Sequence, residues 1–230
     1  MGSILGIAGH ADPVNDFFSF TNDRNSLYSK VMDHTKEHAL VAQIEAGVNY
    51  AKRTIYITGD VEPELAHTVI VALEALDAES GPIRIVLNSS GGDEQDGYAI
   101  YDAIMACNNV VLIEGYGNIL SIAAAIFQAG DSRRLSANSA LMVHNGTAPT
   151  EEGMKQNLVM EMGDQLRKDN QKYYNILASA SGQSLDVVEA WCHDEKYFNA
   201  KEAVEAGLAD EIIKPIKKRP PPRKRRSKKP

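Results

Sequence analysis

The chain has 230 residues, of which 43% are hydrophobic and 24% are charged, and a chain of this length can bury a large core without disulfides or metals. Its two cysteines are too few for a disulfide scaffold, and this favours a reducing, cytoplasmic compartment. We expect neither a secretion signal nor a membrane-spanning helix. The formal net charge is −7, although ten of the 24 basic residues lie within positions 214–230. The acidic remainder argues against a domain that binds nucleic acid.

The predicted elements alternate between strand and helix along most of the chain. Hydrophobic periodicity predicts strands at 54–58, 83–87, 110–113, 140–143 and 212–213, and helices at 25–48, 63–78, 95–106, 122–129, 151–178, 185–192 and 200–206. This alternation indicates an α/β domain with a largely parallel sheet. We place the domain at residues 51–213, after an N-terminal segment, residues 1–50, that is irregular at first and then helical. The basic tail, residues 214–230, is predicted to be disordered and at most to contact nucleic acid weakly.

Three of the predicted strands are followed by residue types that carry hydrolytic chemistry. The Gly91-Gly92 pair follows the second strand, Ser121 precedes an alanine-rich helix, and His144 follows the fourth strand. Because catalytic groups of α/β domains collect at the carboxyl ends of strands, we expect these residues to lie close together. A serine hydroxyl needs a base such as histidine to become a nucleophile, and backbone amides at a helix start can stabilise an oxyanion. Each residue alone also has an ordinary structural explanation, as a turn, a helix cap or a hydrogen-bonded histidine.

A hydrolytic triad also requires a carboxylate that orients the histidine ring and supports its positive charge. Asp194 and Glu195 are the candidates in the segment 191–200, which lies between two predicted helices. A solvated pair of acids beside Lys196 also explains these residues. Residue types alone therefore leave the choice of acid open.

In their order along the chain, these segments resemble the family of Clp peptidases. The loop Asn88-Ser-Ser-Gly-Gly92 is similar to that family's Asn-Ser-Pro-Gly-Gly loop, with serine in place of proline. The other matching segments are residues 97–102, 117–124, 142–144 and 197–210. The resemblance covers about residues 54–213 and does not extend convincingly to the first 50 residues.

The resemblance implies that Ser121 is the nucleophile, that His144 is the base and that Glu195 is the carboxylate. It also implies that the backbone amides of Gly92 and Ile122 bind the oxyanion. Glu195 is preferred to Asp194 because the family's acid stands two residues before the position of Tyr197. Neither a cofactor nor a metal is implied.

The resemblance further implies a ClpP/crotonase-like fold of repeated β-β-α units, with a protruding handle helix at 151–178. Copies of the chain would form two stacked seven-membered rings whose handles interlock, and the substrates would be unfolded polypeptides. The chain contains no Gly-Lys dipeptide and hence no Walker loop of the G-x-x-x-x-G-K type. We therefore expect a separate Clp-type ATPase to act with it, in the cytoplasm of a bacterial or phage-infected cell.

Three alternatives stay open. A phage head-maturation protease shares the serine and histidine segments, and Asp93 and His144-Asn145 fit that class. A catalytically impaired ring subunit is suggested by Ile119-Leu120, because the Clp peptidases have small residues before the nucleophile. A zinc peptidase is suggested by His34-Thr-Lys-Glu-His38, which matches the pattern H-x-x-E-H, although the neighbouring charges fit a solvated helix surface.

Overall fold

Strands and helices alternate through the part of the chain that the computed structural model describes, residues 47–147 and 154–214. The strands are β1 (Val48–Asn49), β2 (Thr54–Val61), β3 (Ile83–Gly92), β4 (Val111–Leu120), β5 (Ser132–Leu135), β6 (Ala140–Val143), β7 (Lys196–Asn199) and β8 (Glu211–Ile212). The helices are α1 (Pro63–Asp77), α2 (Glu94–Met105), α3 (Ile122–Gln128), α4 (Gln156–Ser181), α5 (Leu185–His193) and α6 (Ala200–Glu205). A short 3-10 turn, Tyr50–Lys52, connects β1 and β2.

The eight strands of the described residues form one sheet in the order β1-β2-β3-β4-β5-β8, with β6 paired to β4 and β7 paired to β6. Strands β2 to β5 run parallel, whereas β1 and β7 are antiparallel to their neighbours. Parallel neighbours require a crossover connection, which α1 and α2 supply. β4 pairs with β5 through residues 112–115 and with β6 through residues 118–120. Because the two halves of β4 pair with different strands, the segments that follow β3, β4 and β6 lie beside one another.

The core is built mainly from branched aliphatic side chains. In β3, Ile83, Ile85 and Leu87 are each 0% exposed and alternate with less buried residues, as the period of two in a strand requires. All seven residues of α3 are buried. A helix this short is not stable in water by itself, and burying each large apolar side chain contributes roughly 1.5–3 kcal/mol. The core therefore fixes the helix that begins directly after Ser121.

β4 bends at Gly117, whose φ is +67°. The Asn118 backbone N–H donates to Asn88 Oδ1 at 3.0 Å, and a Cβ on Gly117 would lie 2.8 Å from that oxygen. The pairing of β3 with β4 shifts register between Leu87 and Ser89, at the same point. The bend directs the second half of β4 toward β6 and so determines where Ser121 is presented.

Helix α4 has 26 residues and packs on the core only through its C-terminal half. There Tyr173, Tyr174 and Leu177 are buried. Three apolar residues nearer its N-terminus are 44%, 42% and 64% exposed: Leu158, Val159 and Met160. The helix predicted at 151–178 therefore belongs to the core at one end and exposes apolar side chains at the other.

The structure confirms the predicted α/β class and the largely parallel sheet. β2, β3 and β4 continue beyond their predicted ends, because the backbone stays extended through the glycine-containing segments that follow the apolar stretches. β1, β5 and β7 were not predicted. β5 was missed because its two arginines hide the strand pattern, and each is paired with an acid, Arg133 with Asp210 at 2.6 Å and Arg134 with Glu114 at 3.1 Å.

Several predictions fall outside the described residues. They are the N-terminal segment up to residue 46, the start of the helix predicted at 151, the zinc-peptidase pattern at 34–38 and the tail beyond residue 214. The predicted end of the helix 25–48 was wrong, because Gly47 lies in a turn and Val48 begins β1. None of the helices within 47–147 and 154–214 has the length and apolar character needed to cross a membrane.

Candidate active site

Ser121 joins β4 to α3 in a backbone conformation that few residues other than glycine adopt, with φ +58° and ψ −132°. Its N–H donates to the Met142 carbonyl at 2.9 Å, and its own carbonyl accepts from the Tyr173 hydroxyl at 2.8 Å. Burial raises the pKa of Tyr173 well above its ordinary value, so the hydroxyl stays protonated and remains a donor. Such a conformation costs roughly 1–3 kcal/mol and persists only where neighbouring contacts hold it. Here β6 and α4 hold it from two sides.

Two glycines make room for the backbone around Ser121. A Cβ on Gly91, whose φ is +100°, would lie 2.6 Å from Ser121 Cβ. A Cβ on Gly97 in α2 would overlap the Ile122 side chain. The end of β3 and the helix that follows it therefore approach the Ser121 segment at distances that only glycine permits.

His144 follows β6 and directs its ring toward Ser121, with His144 Nε2 2.8 Å from Ser121 Oγ. The next two residues are fixed by other elements. The Asn145 N–H donates to the Cys192 carbonyl at 3.0 Å, and the Gly146 N–H donates to Asn170 Oδ1 at 2.8 Å. With its proton on Nδ1, the ring accepts the serine hydroxyl hydrogen at Nε2, which is the arrangement that a base–nucleophile pair requires. The structure thus brings together the two residues on which the sequence prediction depends most.

The predicted oxyanion-binding residues lie on either side of Ser121. Gly92 lines the same cleft as Ser121 and His144. It has a φ of +149° and lies so close to the Val61 backbone that a Cβ would overlap it. Ile122 is the first residue of α3 and is buried. The amide of a first helical residue has no partner within its own helix. The position of both residues suits the predicted role, which stays a prediction.

The structure does not place either predicted acid in contact with His144. Within residues 47–147 and 154–214, no carboxylate pairs with the His144 ring, and Asp194 Oδ1 instead lies 3.1 Å from Nδ1 of the neighbouring, exposed His193. The antiparallel pairing of β6 with β7 ends at Val143 and Lys196. Continued by one residue, that register sets His144 opposite Glu195. Glu195 is exposed and has φ +49°, a strained conformation for a residue with a side chain.

An open cleft of about 410 Å³ extends from Ser121 and His144 to the first turn of α2 and to the side of α4. Its acidic residues are Asp93, Glu94 and Asp169. Burial, followed by repulsion from Asp169 and Asp93, raises the pKa of Glu94 above its ordinary value, and Lys172 partly offsets this. No group of three or more metal-binding side chains occurs in the described part of the chain. The described lining of the cleft therefore carries more negative than positive charge.

The bulky residues before the nucleophile do not narrow the cleft. Ile119 is 0% exposed and points into the core beside Gly115. Leu120 is half-buried, and neither residue lines the cleft around Ser121. Because consecutive residues of a strand point to opposite faces of the sheet, the two side chains lie on different sides of β4. Since neither lines the described cleft, this departure from the family pattern leaves access to Ser121 open.

The sequence analysis missed three residues that hold or shape this site. Asn88 supports the bend in β4, Tyr173 fixes the Ser121 carbonyl, and Glu94 forms part of the cleft wall. The acidic pair that follows Gly91-Gly92 was a visible signal for Glu94. Tyr173 lies 52 residues from Ser121 within a long helix, so no local sequence pattern identifies its contact with Ser121.

Comparisons with known proteins all indicate the same family. A family model described as Clp protease matches residues 37–215. The ATP-dependent Clp protease proteolytic subunit 3 of Rhizobium johnstonii is 33% identical over 184 residues, which are 79% of this chain and 93% of that protein. The proteolytic subunit 2 of Pseudomonas aeruginosa is 30% identical over 164 residues, which are 70% of this chain and 81% of that protein. A solved structure of a ClpP1 mutant from Listeria monocytogenes is 25% identical, with a TM-score of 0.66, and the match covers 72% of this chain and 94% of that one.

Proposed function

The chain belongs to the Clp protease family and is a serine-type peptidase, and we propose that Ser121, His144 and Glu195 are its catalytic residues. The observation that carries the proposal is the distance of 2.8 Å between His144 Nε2 and Ser121 Oγ. The two residues follow different strands of one sheet, so the fold rather than local sequence brings them together. A hydroxyl held against an imidazole beside an open cleft is an activated nucleophile.

The reaction proceeds through an acyl-enzyme. Ser121 Oγ bonds to the carbonyl carbon of the scissile peptide while His144 Nε2 takes the hydroxyl proton, and the carbonyl electron pair moves to its oxygen. The amides of Gly92 and Ile122 stabilise this oxyanion. His144 then gives the proton to the amide nitrogen, the carbon–nitrogen bond breaks, and the amine leaves. A water that loses its proton to His144 attacks the ester, which releases the carboxylic acid and returns the proton to Ser121.

Glu195 is the better candidate for the third residue. It is the residue that the β6–β7 register sets opposite His144, whereas Asp194 is directed toward His193. Glutamate is one methylene longer than aspartate, so a rotation of its exposed side chain extends its reach toward His144 Nδ1. A carboxylate there keeps the proton on Nδ1 and stabilises the imidazolium.

We also propose that copies of the chain form stacked seven-membered rings and that a separate Clp-type ATPase delivers unfolded polypeptides to them. The exposed apolar residues Leu158, Val159 and Met160 on α4 support a contact between copies, because such a patch on a soluble protein marks an interaction surface. The curated relatives are named as proteolytic subunits of an ATP-dependent protease. A cytoplasmic location is consistent with Cys107 and Cys192, which are both free thiols.

The test measures particle mass and peptidase activity on the same purified sample. We expect a particle many times the mass of one chain that hydrolyses a fluorogenic peptide, is insensitive to a chelator and is inactive as Ser121→Ala. Activity that survives Ser121→Ala, or that the chelator abolishes, contradicts the serine site and favours the zinc-peptidase pattern at 34–38. Activity in a protein that stays monomeric would contradict only the proposed ring assembly.

A further inference from the structure

The cleft beside Ser121 is lined by both acidic and apolar side chains. Of the twelve described residues that line it, Asp93, Glu94 and Asp169 are acidic, and none of the twelve is lysine or arginine. Met162 and Leu166 of α4 supply the apolar part of the lining. Lysine and arginine combine an aliphatic stem with a cationic head, so they match a surface of this kind.

Two of the three carboxylates already have partners. Asp93 caps α2 and accepts from the backbone N–H groups of Gln95 and Asp96 at 2.8 and 3.0 Å. Asp169 Oδ2 accepts from Gln165 Nε2 at 3.1 Å. Both carboxylates are held by the protein itself and have less capacity left for a substrate.

Glu94 has no such partner among the described residues. Within residues 47–147 and 154–214, its carboxylate takes part in no hydrogen bond and no ion pair, although it is half-buried. Lys172 is nearby, but its ammonium group lies 3.7 Å from Asp169 Oδ1 and 4.3 Å from the centre of the Tyr98 ring. Burial and the carboxylates of Asp169 and Asp93 raise the pKa of Glu94, which shows that its negative charge is poorly compensated.

Glu94 also lies close to the reacting groups. It lines a small hollow together with Ser121 and His144, and its Oε1 would overlap a Cβ on Gly146. It stands two residues after Gly92, the proposed oxyanion donor. A peptide whose scissile carbonyl group lies between Ser121 and Gly92 therefore passes beside Glu94.

We propose that Glu94 makes this cleft prefer lysine or arginine at the residue that supplies the scissile carbonyl group. The proposal rests on Ser121 being the nucleophile. A cationic head beside Glu94 forms a charge-assisted hydrogen bond, while Met162 and Leu166 cover its stem. Leucine would leave the carboxylate unpaired, and glutamate would add repulsion between like charges.

The experiment uses fluorogenic peptides that differ only in the residue before the coumarin amide, namely arginine, lysine, leucine or glutamate. We expect kcat/KM for arginine to exceed that for leucine by roughly tenfold or more, the scale of one charge-assisted hydrogen bond. Glu94→Gln should bring this ratio close to one, and added salt should lower it in the unmodified protein. Glu64→Gln is the matched control, because Glu64 occupies the first turn of α1 and is exposed; it should leave the ratio unchanged.

The proposal is overturned if the unmodified protein prefers leucine, or if folded Glu94→Gln keeps the arginine preference. If Glu94→Gln does not fold, the salt titration decides, and a preference that is insensitive to salt overturns the proposal. Where no peptide is cleaved, the labelling rates of Ser121 by arginine and leucine phosphonates take the place of kcat/KM. Absence of both cleavage and labelling overturns the proposed function itself, and with it the inference.

Discussion

The segments that carry Ser121 and His144 differ from the turn that carries Glu195. Neighbouring elements hold the first two side chains firmly and the third one loosely. The Ser121 backbone is fixed by its hydrogen bond to Met142 of β6 and by the Tyr173 hydroxyl, and Ser121 Oγ lies 2.8 Å from His144 Nε2. Residues 193–197, which include the turn at 194–195, are exposed. At 80% and 77% side-chain exposure, His193 and Asp194 pair with each other rather than with His144.

This difference separates the members of the proposed triad. The sheet holds Ser121 and His144 in position for the proposed proton transfer, because β4 and β6 pair immediately before both residues. The position of the proposed carboxylate depends on one strained, solvent-exposed residue, Glu195. We therefore infer that the acid is the adjustable member of the triad.

The largest expected effect comes from removing either member of the preorganised pair. Ser121→Ala and His144→Ala should each lower kcat/KM for a fluorogenic peptide by roughly 10⁴-fold or more, and the double variant should be no worse than either. Non-additivity is expected because the two groups act in one step. Steady-state kinetics on the three variants check this.

Ser184→Ala is the matched control, since Ser184 is exposed and its side chain makes no capping hydrogen bond in α5. It should retain full activity. Independent, multiplicative losses in the double variant would contradict a shared proton-transfer step.

The second effect distinguishes the two acids in the exposed turn. Glu195→Gln should lower kcat/KM by roughly a hundredfold or more, because the ring then loses the group that sets its tautomer. Asp194→Asn should change it by no more than about twofold, because Asp194 contacts the exposed His193 and not His144. The same kinetic assay measures both, and the reverse ranking would assign the acid to Asp194.

The third effect concerns the packing that keeps Ser121 in place. Gly97→Ala should destabilise the fold by about 1–3 kcal/mol, since the added methyl group overlaps Ile122 in a close-packed core. Gly163→Ala is the matched control in another helix, where the nearest atom to an added Cβ is Arg167 Nη1 at 3.9 Å. That change should stabilise by about 0.5–1 kcal/mol, because alanine has the better helix propensity. Denaturant unfolding measures both, and equal effects would show that Gly97 does not carry the contact described.

The contrast between the two regions also explains what could be read from the sequence. Ser121 and His144 could be predicted because each follows a strand with a clear apolar pattern, and their order matches a known family. The bend at Gly117 and the Tyr173 contact could not, because they depend on how distant segments pack. The relation of Glu195 to His144 follows from β7, whose Lys-Tyr-Phe-Asn sequence contains too little alternation to mark a strand.

The smallest effect is a dependence of stability on pH at the cleft. The pKa of Glu94 is higher in the folded chain than its ordinary value because of burial and of Asp169 and Asp93, with Lys172 opposing them. The folded state thus binds this proton more tightly than the unfolded state, so ionisation of Glu94 costs stability as pH rises through and above 4.5, the ordinary value. Glu94→Gln should match the unmodified protein in acid and become the more stable of the two toward neutral pH. Thermal unfolding across that pH range checks the sign, and a Glu94→Gln protein that is less stable at neutral pH would contradict it.

The most direct test of the central claim is covalent labelling with a fluorophosphonate, followed by peptide mapping of the adduct. If Ser121 is the nucleophile activated by His144, one adduct forms per chain, it maps to Ser121, and it fails to form in His144→Ala. An adduct on a different serine, or full peptidase activity in a protein whose Ser121 stays unlabelled, would contradict the claim.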